Sequence, residues 1–184
     1  MVDIEKLNSW VLDAKKGDSE AFGLIYDAFS AKIFNFIKLK IQNKEAAEDL
    51  LQEVFVKAFR GLGALSAENL NFSAWLYKIA SNSINDYFRS KYRTPEIVQI
   101  DETFDVPSTE SPARQTDVIL EMEVLNKILD LLPPLYKQVL LLRFVEGFNL
   151  NEVAGILKKS NLAIRLIQFR ALKKVQAILK NEHV

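Results

Sequence analysis

Apolar side chains recur at three- and four-residue steps through almost the whole of this chain, and β-branched alternation nowhere persists for the length of a strand. A pattern of that period can bury itself only as packed helices, so the expected fold class is all-α. One stretch breaks it. Residues 94–116 hold Pro95, Pro107 and Pro112 together with Ser108, Thr109 and Ser111, a composition that resists packing. Charge is distributed unevenly around the break: residues 94–124 carry 8 acidic side chains and 1 basic one, residues 158–184 carry 1 and 7. The balance of 24 Lys+Arg against 24 Asp+Glu therefore averages an acidic middle with a basic tail. Two small helical domains are expected, residues 1–93 and 122–184, joined by an acidic flexible linker over 94–121.

Composition removes several classes of function. With 49% hydrophobic and 26% charged residues the chain reads as soluble and globular. Having no Cys, it can form no disulfide framework, thiolate zinc site, iron–sulfur cluster or cysteine nucleophile, and its one His is His183. Asp3, Glu5, Lys6 and Asp13 interrupt the N-terminal segment as a secretion signal, and no apolar run approaches the roughly 18 residues of a membrane span, so a cytoplasmic location is expected. Glu45, Glu48, Asp49 and Glu53 form a carboxylate-rich helix face. No His accompanies them and no facing Glu-x-x-His pair exists to complete a two-metal site. No metal, cofactor or catalytic residue is expected.

The N-terminal segment divides into four helices. The first spans 4–16 and is closed by Gly17. A second follows Asp18, with Phe22, Ile25, Phe29, Ile33, Phe36 and Ile37 on one face. Asn43 caps a third over 44–62, ended by Gly61 and Gly63. The fourth, over 72–92, buries Leu76, Ile79, Ala80, Ser83, Ile84 and Tyr87. Its other face carries Lys78, Asn82, Asn85, Arg89 and Arg93 in one axial stripe, with Phe72, Trp75 and the loop 61–71 at its start. Cations hold phosphates, amides offer both a donor and an acceptor to a base edge, and an aromatic or a loop pocket can receive an unstacked base. A solvated helix face over a core Trp75 accounts equally well for the stripe taken alone.

The C-terminal segment is more specific. A helix from 125 is stopped by Pro133-Pro134, which open the next, over 135–146, closed by Gly147. Asn149 and Glu152 have the spacing of a capping box for a helix over 150–158, and Ser160 caps another after a short turn. Val153, Ala154, Leu157, Ile164 and Ile167 face inward. This is a helix-turn-helix, whose second helix presents Asn161, Arg165, Gln168 and Phe169 before the cations Arg170, Lys173 and Lys174. In that motif early residues read the major groove and later cations grip the backbone. Leu162 and Leu166, large and apolar near the groove-facing side, suit either thymine methyls or a protein surface.

These residues carry a family resemblance. Residues 14–26 (AKKGDSEAFGLIY), 47–58 (AEDLLQEVFVKA) and 72–82 (FSAWLYKIASN), with Asp86 and Arg89, resemble the second conserved region of bacterial RNA polymerase sigma factors. Leu131-Leu132-Pro133, Glu152-Val153-Ala154 and Ala163-Ile164-Arg165 with Arg170-Ala171-Leu172 resemble the fourth. The absence of other regions between them resembles the extracytoplasmic-function (ECF) group. Leu162 departs from the pattern, since many members carry Gly there.

The resemblance implies a transcription initiation factor that binds core RNA polymerase and directs it to promoters. Glu48, Asp49, Gln52, Glu53 and Phe55 match the surface that docks on the clamp of the largest polymerase subunit, with Phe55 expected as an exposed aromatic anchor among carboxylates. Trp75, Lys78, Asn82, Asn85 and Arg89 match the helix that melts and reads the minus-ten element, and the loop 62–71 the place where a flipped base is captured. Asn161, Arg165, Gln168, Phe169, Arg170, Lys173 and Lys174 match the reader of the minus-thirty-five element. Asp86 is expected to orient Arg89 or a neighbouring helix, because a carboxylate facing phosphates is repelled. The resemblance further implies a factor monomeric when free and held by an anti-sigma protein, and charge suggests that the acidic linker lies against the basic tail. The rival reading is a helix-turn-helix regulator that binds duplex DNA without polymerase, which leaves the stripe of the fourth helix unexplained.

Overall fold

The computed structural model of the chain describes residues 3–65, 71–91, 129 and 131–182. Among these residues there are seven α-helices and no strand. Helices α1 (Ile4–Lys15), α2 (Ser19–Lys38), α3 (Lys44–Gly61) and α4 (Phe72–Lys91) form an N-terminal unit, and α5 (Pro134–Leu140), α6 (Leu150–Leu157) and α7 (Asn161–Glu182) a C-terminal one. None is long and apolar enough to cross a membrane. The expected linker, the helix expected from 125, and any contact between linker carboxylates and the basic tail lie almost wholly outside the described residues.

Side-chain caps set the helix starts. Asp3 accepts from the Glu5 amide at 3.0 Å, Asp18 from those of Glu20 and Ala21 at 2.9 and 3.1 Å, and Asn43 from that of Ala46 at 2.8 Å. Each occupies an amide that lacks an intrahelical acceptor. At the exit of α1, Gly17 takes φ +98°, a left-handed turn that costs glycine little. The third helix ends at Gly61, where the chain tightens into a 3₁₀ turn, Leu62–Ala64.

The periodic apolar positions meet as read. Ile25, Phe29, Ile33, Phe36 and Ile37 of α2 are buried with Ala47, Leu50, Val54 and Ala58 of α3 and with Leu76, Ala80 and Ile84 of α4. Rings meet edge to face at Phe29–Phe72, with centroids 5.9 Å apart, and at Phe36–Tyr77, at 5.2 Å. Such pairs add about 0.5–1.5 kcal/mol to the area they bury.

The C-terminal unit departs from one expectation. The helix read over 135–146 is α-helical only to Leu140 and continues as a π turn, Leu141–Val145. The Glu146 amide reaches the Leu141 carbonyl at 3.0 Å, five residues back, and the Phe148 amide reaches that of Leu142 at 2.9 Å. The helix-turn-helix is present. Asn149 and Glu152 form the capping box, at 3.0 and 2.7 Å, and Ser160 Oγ accepts from the Ala163 amide at 3.2 Å. Between α6 and α7 the chain turns through Lys158 in the left-handed region, φ 52°.

The two units touch. Helix α6 packs against α4, Phe148 meets Tyr77 edge to face at 5.4 Å, and Lys32 of α2 pairs with Glu146 at 2.9 Å.

Phe36, fully buried in the N-terminal unit, supplies a direct check of this packing. Phe36→Ala is expected to lower unfolding free energy by about 3–5 kcal/mol in denaturant titrations, whereas Ile4→Ala, at a position 73% exposed, should change it by less than about 0.5 kcal/mol.

Candidate nucleic-acid interface

The stripe on α4 is built as a polar ridge above an aromatic floor. Lys78 and Arg89 are exposed, while Trp75, Asn82 and Asn85 are half-buried between them and the core. The Trp75 indole tilts against Phe72, centroids 5.6 Å apart, and leans over Gly61, where a Cβ would stand 3.2 Å from Cζ2 of the ring. The glycine that closes α3 therefore makes room for the indole. Asn82 Oδ1 is buried and has no hydrogen-bond partner among the described residues. A desolvated acceptor of this kind costs about 1–3 kcal/mol until something donates to it. Arg89 lies 3.6 Å from Asp86 in an exposed pair, the first of the two partners expected for that acid. Lys57 Nζ bonds Ser83 Oγ at 2.9 Å and pairs with Glu53, tying α3 to the base of the stripe. Arg93 and most of the loop expected to take a flipped base lie outside the described residues; Leu62 is buried, and Leu65 accepts from Lys15 Nζ. Beside Trp75 and Lys78 opens a cleft of about 290 Å³, whose far wall is Glu152, Gly155 and Ile156 of α6.

On α3, Glu48, Asp49, Gln52 and Glu53 all face solvent, with Glu48 3.7 Å from Lys44. The aromatic anchor expected among them is corrected. Phe55 is only 4% exposed, held edge-on by Tyr26 at 4.7 Å and Phe22 at 6.4 Å. It follows Val54 by about 100° of helix turn, onto the flank that α2 covers. The exposed aromatic is Phe59, 52% open one turn later and resting on Phe22 at 5.0 Å. Phe22 and Tyr26, four residues apart on α2, were the signal that an aromatic face opposes Phe55.

On α7, Asn161, Arg165, Phe169, Arg170, Lys173 and Lys174 are exposed, as are Leu162 and Leu166. Gln168 is partly withdrawn: its Oε1 accepts from Arg143 Nε at 3.1 Å, and Arg143 donates also to the Phe148 carbonyl, which fastens α7 to the π turn. Asn161 Nδ2 donates to Asn151 Oδ1 at 2.6 Å and so braces the two helices of the motif. Two titrating groups lie where the units meet. Burial, and then the nearby Glu146 carboxylate, raise the Tyr77 phenol well above its ordinary pKa, so it stays neutral. Burial, and then the charge of Lys159, lower that of Lys40.

The chain matches two family models, Sigma-70 region 2 over residues 25–94 and Sigma-70 region 4 over residues 128–177. It is 30% identical over 183 residues to the ECF RNA polymerase sigma factor BldN of Streptomyces coelicolor, covering 98% of this chain and 68% of that one. To SigW of Bacillus subtilis it is 29% identical, over 92% of this chain and 93% of the relative. The fold is similar to that of CnrH in its complex with the cytosolic domain of CnrY, with TM-score 0.63, 21% identity and coverage of 96% and 98%. It is also similar to RpoE of Bartonella quintana in complex with the anti-sigma factor NepR, with TM-score 0.66, 23% identity and coverage of 86% and 96%.

Gly61→Ala tests the floor of the stripe. Its methyl should push the Trp75 indole by a few tenths of an ångström, shifting the fluorescence of a chain with 2 Trp and changing stability by no more than about 1 kcal/mol, since the helical gain of Ala over Gly offsets the crowding. An unchanged emission spectrum would show that the ring does not rest there.

Proposed function

The chain belongs to the ECF RNA polymerase sigma factors, non-enzymatic initiation factors that bind core RNA polymerase and direct it to promoters, and from that premise we propose how its surfaces divide the work. Residues 1–93 dock on polymerase and read the minus-ten element, residues 122–184 read the minus-thirty-five element, and 94–121 connect them. The observation that carries this division is the α4 ridge: exposed cations at Lys78 and Arg89 flank the buried, unpartnered oxygen of Asn82. The cations hold phosphates of the melted strand while Asn82, with Trp75 and Asn85 beside it, contacts a base.

Glu48, Asp49, Gln52 and Glu53 face a basic coiled coil of the polymerase clamp, with Phe59 in the anchoring role first read for Phe55. On α7, Asn161, Arg165 and Phe169 approach base edges, and Arg170, Lys173 and Lys174 the backbone. Gln168 acts chiefly through Arg143. The factor works in the cytoplasm, where the polymerase is, and an anti-sigma protein binds it, a reading supported by the complex of RpoE with the anti-sigma factor NepR in Bartonella quintana. A regulator acting through the helix-turn-helix alone is not favoured, since both regions match in order along the chain.

Reconstitution with core polymerase, followed by mapping of transcript starts, tests the assignment. Asn82→Ala and Arg165→Ala should each weaken selection by about 1–3 kcal/mol, the first at minus-ten and the second at minus-thirty-five positions. Start-site choice that survives both substitutions would remove these residues from promoter reading. Asp49→Lys, at an exposed position on the same face, should lower affinity for core polymerase by about tenfold or more without altering DNA contacts, as polymerase titration would report.

A further inference from the structure

The outward line of α7 is apolar where a reader of bases is expected to be polar. At about 100° of helix turn per residue, Ile164 and Ala171, both fully buried, mark the side of α7 that faces its own unit. Leu162 and Leu166 stand about 20° to either side of the point opposite Ile164, and Phe169 about 40° from it. All three are open to solvent, at 77%, 47% and 64%. Asn161 and Gln168 stand only about 60° and 40° round from Ile164. There each is held by protein: Asn161 donates to Asn151 at 2.6 Å, and Gln168 accepts from Arg143 at 3.1 Å. The side chains that project furthest from the early part of α7 are therefore Leu162, Leu166 and Phe169, with Arg165 beside them.

We infer that Leu162 and Leu166 are specificity-determining residues that read thymine methyl groups in the major groove of the minus-thirty-five element. This rests on the functional reading above and adds to it the class of base pair selected. The surroundings of the apolar line choose duplex DNA as its occupant. Arg165, Arg170, Lys173 and Lys174 are exposed around it, and no carboxylate occurs on α7 before Glu182. A surface bounded in this way is complementary to the phosphates that edge a groove, and it is continuous with the cations assigned above to the backbone. On the floor of that groove the apolar group that a base pair presents is the C5 methyl of thymine. Leucine discriminates in both directions. Over an A·T pair it covers the methyl; over a G·C pair it strips water from the cytosine amine or the guanine O6 and returns no hydrogen bond. Four residues separate the leucines by about 6 Å along the helix axis. A helix lying along the groove thus sets them about two base pairs apart, at about 3.4 Å per pair.

The test removes the methyl and nothing else. A promoter found by start mapping is rebuilt with uracil in place of every thymine, on both strands, of the minus-thirty-five element alone. Base pairing and hydrogen-bonding groups are then unchanged, and the minus-ten element is untouched. Holoenzyme made from core polymerase and the full chain should bind the uracil duplex at least about fourfold more weakly for each methyl that a leucine covers. With Leu162→Ala and Leu166→Ala together, at exposed positions where Ala favours the helix, the two duplexes should bind alike. Arg165→Ala should weaken both and leave their ratio as it was. Equal binding of the two duplexes by the unsubstituted chain overturns the inference, as does a ratio that survives loss of both leucines, or an element with no A·T pair. A double variant that loses affinity for core polymerase in the absence of DNA places the leucines against protein and overturns it too. If the unsubstituted chain directs no initiation even from the thymine promoter, it is the functional reading that has failed, and the inference falls with it.

Discussion

The helix from Phe72 to Lys91 has to satisfy three surroundings with twenty residues, and the rest of the molecule is arranged around that demand. One face, Phe72, Leu76, Ala80 and Ile84, is sealed into the four-helix core. A second carries Lys78, Asn82 and Arg89 toward solvent. Between them Tyr77 is fully buried, covered partly by Phe36 from its own unit and partly by Phe148 from the other. A helix with only one apolar stripe could accept either neighbour but not both. Because Tyr77 widens the stripe, the same helix that offers polar groups to a nucleic acid also offers an apolar edge to the chain's own C-terminal unit.

Much of this was legible before any coordinates. Helix starts declare themselves chemically, because Asp18, Asn43, Asn149 and Ser160 are small polar residues placed where an amide needs an acceptor, and each cap forms. Core positions followed from spacing, and the division at the proline-bearing acidic stretch agrees with the gap between the two family matches. The axial stripe on α4 needed only the helical period to be assembled.

What sequence reading missed depends on neighbours that spacing does not report. Phe55 was expected outside because it matches the docking surface of the family, yet Phe22 and Tyr26 of α2 close over it, leaving Phe59 exposed. Gln168 looked like a base reader because it lies on the groove side of α7, yet Arg143, distant in sequence, engages its carbonyl oxygen. Tyr77 is one polar-tipped aromatic among hydrophobic neighbours, and nothing local shows that Phe148 and Glu146 will complete its surroundings. In each case the deciding partner sits on another element.

The π turn at Leu141–Val145 has a consequence for evolution by insertion and deletion. A π turn is an α turn with one residue added, and that residue advances everything after it by about 100° around the helix axis. Glu146 and Phe148, which follow at once, owe their aim to that phase. A descendant that lost a single residue there would regain a regular helix, swing its carboxylate and ring away from Lys32 and Tyr77, and disturb the Arg143 contacts that fasten α7 to the π turn. One deleted codon would thus reset both the seam between the units and the seat of the recognition helix, so the length of this segment is constrained more tightly than its composition.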